Sequence, residues 1–306
     1  MKRREFMTRT AGAALLGAVA PLFGSLESLA STPQSDGTYN LAAIRGGEPI
    51  TMFEKAMEAL GGIQRFVKPG QHVLVKPNIG WDAPPERAAN TNPDLIGHIV
   101  KEALKAGASN VYVFDHTCDQ PDRCYQNSKI EEAVKNNGGI IVPGNNESNY
   151  KEVDIPGGKI LKTAKVHEQL IKADVFINVP ILKHHGSTTV SLSIKNLMGV
   201  IWDRRYYHRN NLSQCLADFL SYRKPDLNII DGYRMLTRNG PQGISTNDVA
   251  DLKALIAGTD IVAVDAAATL MFGSKPEDIE HLRIAQEMGF GNMDLKSMSI
   301  KRVKIA

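Results

Sequence analysis

Four clusters of Lys, His, Asn and Asp follow short apolar runs of the sequence. They are Lys76-Pro77-Asn78, Asp115-His116, Lys183-His184-His185 and Asp231-Gly232. The apolar runs are typical of strands in a parallel sheet, and such strands bring their carboxyl ends, where ligands bind, to one edge. We therefore expect these side chains to meet in one cleft that offers carboxylates, amines and imidazoles.

The amines and imidazoles of this cleft predict an enzyme that acts on a small anionic or carbonyl substrate. Lys183, His185 and Lys76 are the candidate catalytic residues, with Lys183 and His185 as the acid–base groups. Gly186-Ser187-Thr188 follows the two adjacent imidazoles and predicts a flexible loop. Lys76 also fits a simple strand exit before the turn-forming Asn78.

A second set of polar residues is predicted to bind the anion and stabilise its charge. The set comprises Asn78, Lys195, Asn196, Arg205 and His208. Lys195 and Asn196 follow a predicted strand over residues 189–194, and the Arg and His residues of 204–209 surround two tyrosines. A guanidinium group holds a carboxylate or phosphate in bidentate fashion, although a charge run of this kind also fits a solvated face.

Asp115 and Asp231 are candidate ligands for a divalent metal, together with the imidazoles of the cleft. The same two carboxylates also fit helix caps or turns. No HExxH motif or paired CxxC spacing accompanies them. The sequence therefore leaves the identity of any cofactor open.

Three cysteines, Cys118, Cys124 and Cys215, are present. They are too few to supply the usual four thiolates of an iron–sulphur cluster, so no cluster is expected within this chain. Cys118 and Cys124 are compatible with a local disulfide or with free thiols.

The whole chain alternates short β-branched runs with amphipathic stretches, which predicts an α/β fold with a mainly parallel sheet flanked by helices. A β-hairpin insertion is predicted over residues 151–162, turning at Pro156-Gly157-Gly158. Ser128 is expected to cap a helix that runs through Val134. Predicted strands cover residues 72–76, 110–115, 139–142, 173–179, 226–230 and 260–265, the last leading into an Ala-rich helix, and a closing strand is predicted over 297–305.

The N-terminus predicts export in folded form through the twin-arginine route. Residues 2–7 read Lys-Arg-Arg-Glu-Phe-Met, and the apolar stretch over 11–24 is too short to span a bilayer. The small residues Ser28 and Ala30 within Ser28-Leu29-Ala30 suit a signal peptidase. We expect residues 1–30 to be a signal peptide, residues 31–306 to form a single α/β domain, and the protein to be periplasmic, with the twin-arginine translocase as its partner during export. A general secretory signal is the alternative.

The charge balance gives no support for a nucleic-acid partner. Residues 1–30 contain four of the 36 Lys and Arg and two of the 33 Asp and Glu, so the remainder is nearly neutral. No permanent membrane span is predicted.

The ordered motifs of the chain resemble those of the domain-of-unknown-function-362 family. They are Val75-Lys76-Pro77-Asn78, Thr91-Asn92-Pro93, Pro180-Ile181-Leu182-Lys183-His184-His185, Lys195-Asn196-Leu197-Met198-Gly199, Asp231-Gly232, Gly240-Pro241, and Asp260 with Asp265. The resemblance implies a shared set of polar positions at Lys76, Asn78, Lys183, His185, Lys195, Asn196, His208, Asp231 and Asp265. His184 departs from the small polar residue that the family pattern implies.

Some members of that family carry ferredoxin-type iron–sulphur modules, and this chain lacks their cysteine runs. The resemblance therefore also suggests a second hypothesis, a non-catalytic binding or maturation factor. Such a factor would carry an anion, a metal or a cofactor for a partner redox protein.

Overall fold

A computed structural model of the protein describes residues 33–306. The predicted signal peptide, residues 1–30, lies outside the described residues. Within 33–306 there is no helix with the length and apolar character that crossing a membrane requires.

The described chain contains strands and helices in alternation. The strands are β1 (Leu41–Arg45), β2 (His72–Pro77), β3 (Asn110–Val113), β4 (Ile140–Ile141), β5 (Tyr150–Asp154), β6 (Thr163–His167), β7 (Val175–Val179), β8 (Ile181–His185), β9 (Thr189–Ser191), β10 (Leu227–Leu236), β11 (Val249–Gly258) and β12 (Ile300–Lys304). The helices are α1 (Pro49–Leu60), α2 (Pro93–Lys105), α3 (Pro121–Asn127), α4 (Ile130–Asn136), α5 (Glu168–Lys172), α6 (Ser193–Asn196), α7 (Arg204–Arg209), α8 (Leu212–Phe219), α9 (Ile261–Phe272) and α10 (Glu280–Glu287).

One large sheet has the strand order β12-β1-β11-β10-β7-β2-β3-β4. Pairing is parallel from β10 through β4, whereas β11 runs antiparallel to both of its neighbours. β8 continues the chain beyond β7, pairs with β10 and forms a small antiparallel pair with β9. The predicted α/β class with a mainly parallel sheet is confirmed. A hairpin insertion is present, since β5 and β6 form a separate antiparallel pair, but its second strand begins at Thr163, after the predicted end at residue 162.

Apolar residues cover both faces of the sheet, as two layers of helices require. On one face α1 and α2 bury residues such as Phe53 and Leu95, and on the other α8, α9 and α10 bury residues such as Leu216 and Leu282. Helix α2 begins with a side-chain cap: the Asn92 side chain accepts hydrogen bonds from the backbone N–H groups of Asp94 and Leu95, with Pro93 in the first turn.

One predicted strand and one predicted helix cap are wrong. Residues 260–265 form the start of α9 rather than a strand, and the Asp260 side chain caps that helix by accepting from Val262 and Ala263 N–H. A short apolar run does not distinguish a strand from a buried helix, which explains the error. The helix predicted through Val134 is present as α4, but it begins at Ile130 after Lys129, and Ser128 instead ends α3 with its hydroxyl donating to Tyr125 O at 3.1 Å.

Two polar clusters expected to follow strands lie within strands. Lys183-His184-His185 is the end of β8, held by its pairing with β9, and Gly186-Ser187-Thr188 forms the turn between these two strands. Asp231 and Gly232 lie in the middle of β10, which continues to Leu236. In both segments the strand is extended by hydrogen bonding to a neighbouring strand, β9 for β8 and β11 for β10, which the local sequence does not reveal.

Candidate functional site

A cavity of about 290 Å³ opens where β2, the loop after β3, β8 and the helices α6 and α7 meet. Its charged and titratable lining consists of Lys76, Lys183, Lys195, Arg204, His116, His185, His208, Asp115 and Cys118. Asn78 and Asn196 also line it. The structure thus brings together eight of the ten predicted site residues. Arg205 and Asp231 are not among the lining residues.

Lys76 at the end of β2 is fully buried, and each proton of its ammonium group has an oxygen acceptor. Its Nζ lies 2.8 Å from Asp115 Oδ1, and it donates to Pro77 O at 2.7 Å and to Asn196 Oδ1 at 3.1 Å. Burial lowers the pKa of Lys76, while the Asp115 carboxylate opposes that shift. Three acceptors match the three protons of an ammonium group. This geometry suits a fixed positive charge better than a proton carrier.

The ion pair between Lys76 and Asp115 requires a glycine beside it. A Cβ at Gly199 would overlap Asp115 Oδ1 and would lie 2.5 Å from Lys76 Nζ. Gly199 belongs to the 3₁₀ turn Leu197–Val200, and its carbonyl accepts from His116 N–H at 3.0 Å. The close approach of this backbone explains the Gly in the Lys-Asn-Leu-Met-Gly motif.

An amide network connects Lys183 to Lys76. Lys183 Nζ donates to Asn78 Oδ1 at 2.9 Å and to Ala89 O at 2.5 Å. Asn78 Nδ2 donates to Asn196 Oδ1 at 3.1 Å, the same oxygen that Lys76 contacts. Burial lowers the pKa of Lys183 to about 7. Lys183 can therefore gain and lose a proton near neutral pH.

Helix α6 carries Lys195 and is anchored at its start by a buried carboxyl group. Asp265 accepts hydrogen bonds from Ser193 N–H at 2.8 Å and from Ile194 N–H at 2.9 Å. The hydrogen bond of Lys195 Nζ is to the thioether of Met198, at 3.1 Å. Burial and the nearby cations Arg204 and Lys76 lower the pKa of Lys195 to about 8.

The imidazoles of the cavity are neutral at ordinary pH. Burial, followed by the charges of Lys195 and Lys183, lowers the pKa of His185 to about 3. Its Nδ1 accepts from Ser187 N–H at 3.1 Å, which places the ring proton on Nε2. Burial also lowers the pKa of His208. The positive charge of the cavity therefore comes from the lysines and Arg204.

Arg204 takes the place that the sequence prediction gave to Arg205. Arg204 Nη1 donates to His116 O at 2.8 Å, and Nη2 donates to Thr117 O at 2.6 Å. Successive residues of a helix point about 100° apart, so only one of two adjacent arginines faces the cavity. Arg205 instead lines a neighbouring cavity of about 650 Å³ with Trp202.

Cys118 at the rim of the cavity is exposed, and Arg204 Nη1 donates to its Sγ at 3.2 Å. Cys124 is buried, and both thiols are free. The possible local disulfide between them is thus absent from the described chain.

The two carboxylates predicted as metal ligands are not brought together. Asp231 accepts from Asn92 N–H at 2.7 Å and from Tyr233 N–H at 3.1 Å, so it connects β10 to the start of α2. Asp115 is occupied by Lys76 and by Ile79 N–H, at 2.7 Å. Across residues 33–306, no group of three or more His, Cys, Asp or Glu side chains has an arrangement that could hold a metal ion.

Sequence reasoning missed several residues that line the cavity. Trp81, Met198, Arg204 and Pro241 were not among the predicted site residues. Met198 lies inside the Lys195–Gly199 motif and Pro241 inside Gly240-Pro241, so both motifs contained a signal for them.

The order of these motifs along the chain matches a family. Residues 73–270 match the family described as "Domain of unknown function (DUF362)". The chain belongs to the DUF362 family. The resemblance inferred from the Lys76, Lys183 and Lys195 motifs is therefore confirmed.

Two named proteins are similar in sequence to this DUF362 chain. It is 26% identical over 257 residues to a thylakoid-associated protein of Synechocystis sp., covering 79% of this chain and 76% of that protein. A 3-methyl-2-oxobutanoate hydroxymethyltransferase of Thermosipho melanesiensis is 36% identical over 104 residues, which are 34% of this chain and 33% of that enzyme.

Among solved structures, the lactate racemase apoprotein from Thermoanaerobacterium thermosaccharolyticum superposes with a TM-score of 0.46 at 11% identity. The match covers 82% of this chain and 58% of that chain. Neither the partial match to the hydroxymethyltransferase nor that to the lactate racemase apoprotein transfers an activity to the DUF362 chain.

Proposed function

We propose that this protein is an enzyme whose substrate is a small anion bearing a carboxylate, held in the cation-rich cavity. One observation carries the proposal: Lys76, Lys183, Lys195 and Arg204 line the cavity, and the one carboxylate among its described lining residues, Asp115, is already paired with Lys76. A bound anion would balance the remaining positive charge.

The size of the cavity limits the substrate. A volume of about 290 Å³ lies at the lower end of the range for ligand pockets, so it suits a small molecule. Lys183 is the proposed acid–base group, because its amine changes protonation near neutral pH and Asn78 fixes its position. The Nε2–H group of the neutral His185 ring adds a hydrogen-bond donor.

Binding of small anions can be followed through Trp81, which lines the cavity. The protein has two tryptophans, so Trp202→Phe leaves Trp81 as the reporter. In this background we expect oxalate and pyruvate to change the fluorescence at saturation. Lys183→Gln and Lys195→Gln should each weaken binding about tenfold or more, as expected for loss of a charge-assisted contact of at least about 1.4 kcal/mol.

Lys101→Gln is the matched control, because Lys101 lies exposed on α2, and it should leave the affinity unchanged. If neither anion binds, the proposal is wrong. If anions bind but no turnover is found in a screen of carboxylates, the result favours the rival hypothesis of a non-catalytic binding factor.

We also propose that the protein is exported to the periplasm through the twin-arginine route, on the basis of Arg3-Arg4 and the apolar stretch after them. The test is fractionation of cells that express the full chain or its variant with Arg3→Lys and Arg4→Lys. The expected result is a shortened periplasmic protein from the natural chain and a full-length cytoplasmic precursor from the variant. Equal export of both would contradict the proposal, and recovery with membranes would instead parallel the relative named as thylakoid-associated.

A further inference from the structure

The three lysines of the cavity differ in what their amines contact. Lys76 Nζ has three oxygen partners, at Asp115, Pro77 and Asn196, and Lys183 Nζ has two, at Asn78 and Ala89. Within the described chain, the partner of Lys195 Nζ is a thioether sulfur, Met198 Sδ. Sulfur is a weak acceptor, so the hydrogen-bonding capacity of this amine is largely unused.

The surroundings of Lys195 lower the pKa of its amine to about 8, so a fraction of the amine is neutral at pH 7. An ammonium group without oxygen acceptors is costly to bury, and Arg204 and Lys76 add unfavourable charge. A lysine amine that is desolvated and placed near other cations is a nucleophile at neutral pH. The amines of Lys76 and Lys183 are instead held in place by their oxygen acceptors, so they are less well placed to approach a carbonyl carbon.

The positively charged groups of the cavity limit which substrates can react with such a nucleophile. The substrate must carry a negative group to balance them, and a neutral amine reacts with an electrophilic carbonyl carbon. We infer that Lys195 forms an imine with the carbonyl carbon of a small 2-oxo carboxylic acid. This inference rests on the proposed function, because it needs the carboxylate to bind in the cavity.

The step is a condensation in which no group is oxidised or reduced. The Nζ lone pair attacks the carbonyl carbon, the carbonyl oxygen takes a proton and the nitrogen loses one, which gives a neutral carbinolamine. The hydroxyl then takes a second proton, the C–O bond breaks, and water leaves as the nitrogen lone pair forms the C=N bond of a protonated imine. Lys183 lines the same cavity and is the proton donor and acceptor that this sequence needs.

Reduction with sodium borohydride traps an imine as a stable secondary amine, which mass spectrometry detects. We expect the full chain treated with pyruvate and borohydride to gain one adduct, mapped by peptide analysis to Lys195. Lys195→Arg keeps the positive charge but cannot form an imine, so its adduct should be lost. Lys101→Arg, on the exposed face of α2, is the control and should give the same yield as the natural chain.

Oxalate binding, measured by Trp81 fluorescence, separates this inference from the proposed function, since oxalate is an anion that forms no imine under these conditions. Binding of oxalate without an adduct from pyruvate, glyoxylate or 2-oxobutyrate would overturn the imine alone. An adduct mapped to another lysine in the natural chain would do the same, whether or not the variants fold. Loss of both oxalate binding and the adduct would overturn both proposals.

Discussion

Replacing Asp115 by Asn would leave the buried ammonium group of Lys76 without its carboxylate. Lys76 is 0% exposed and Asp115 3% exposed, and their charged atoms lie 2.8 Å apart. Breaking a buried ion pair on one side typically costs about 3–5 kcal/mol. The asparagine side chain presents to Lys76 either an uncharged amide oxygen or an N–H donor, and neither replaces the carboxylate. The loss of unfolding free energy is therefore expected near the upper part of that range at pH 7.

Deprotonation of Lys76 sets a ceiling on this loss. The ordinary lysine pKa is 10.5, and each pH unit below it costs about 1.4 kcal/mol for a folded state that requires the neutral amine. The ceiling is therefore about 5 kcal/mol at pH 7 and about 2 kcal/mol at pH 9. In Asp115→Asn the folded pKa of Lys76 falls further below the unfolded value, so the folded state binds fewer protons and its stability rises with pH.

The assay is urea unfolding of the natural chain and Asp115→Asn at pH 7 and pH 9, followed by tryptophan fluorescence with linear extrapolation. The expected difference in free energy of unfolding is several kcal/mol at pH 7 and shrinks at pH 9. Asp251→Asn is the control, because Asp251 is exposed and lies 3.5 Å from Arg234. Adding Lys76→Met to Asp115→Asn removes the orphaned charge and should recover part of the loss.

A loss below about 1 kcal/mol at pH 7 would refute the view that this pair is a buried and coupled one. A loss of several kcal/mol that stays the same or grows at pH 9 would refute the account based on an unpaired ammonium group. Packing damage around the new amide would then be the better explanation.

Three further outcomes are expected. Gly199→Ala should lower the free energy of unfolding by about 1–3 kcal/mol, because its Cβ would overlap Asp115. Gly186→Ala should leave the free energy of unfolding unchanged, because a Cβ there would have no heavy atom within 4 Å. Equal melting temperatures for the Gly199→Ala and Gly186→Ala variants would contradict this expectation. Burial raises the pKa of Asp265 to about 7 from 3.8, so its contribution to stability is present at low pH and is lost as the pH rises toward 7. Asp265→Asn should flatten that part of the stability–pH curve, and an unchanged slope would count against it. Oxalate affinity should fall as the pH rises through about 7, where Lys183 loses its charge, and Lys183→Arg should remove that step.

Elements with a long periodic pattern and a clear cap were predictable from the sequence. Helix α2 has Asn92 and Pro93 at its start and a regular apolar face, and the structure places it where the pattern predicts. The segment 260–265 lacks such a distinguishing signal, because α9 is buried almost all round and its apolar run fits a strand equally well.

The candidate site was predictable as a set and not in its internal roles. Lys76, Lys183 and Asp115 were expected at one edge of the sheet because parallel strands share their carboxyl ends, and they line one cavity. Asp231 was expected there by the same rule. Its strand continues past it, however, and its carboxylate is turned to Asn92 N–H.

The sequence by itself therefore determined the α/β pattern, the family and the clusters of polar residues at strand ends, because these depend on local periodicity and short motifs. Only the tertiary structure decided which lysine amine has oxygen acceptors for its hydrogen bonds and which does not. Lys76 finds Asn196 across 120 positions and Lys183 finds Asn78 across 105, whereas Lys195 meets a thioether three residues away. Hydrogen-bond partners so distant along the chain are set by how strands and helices pack, and no local pattern contains them.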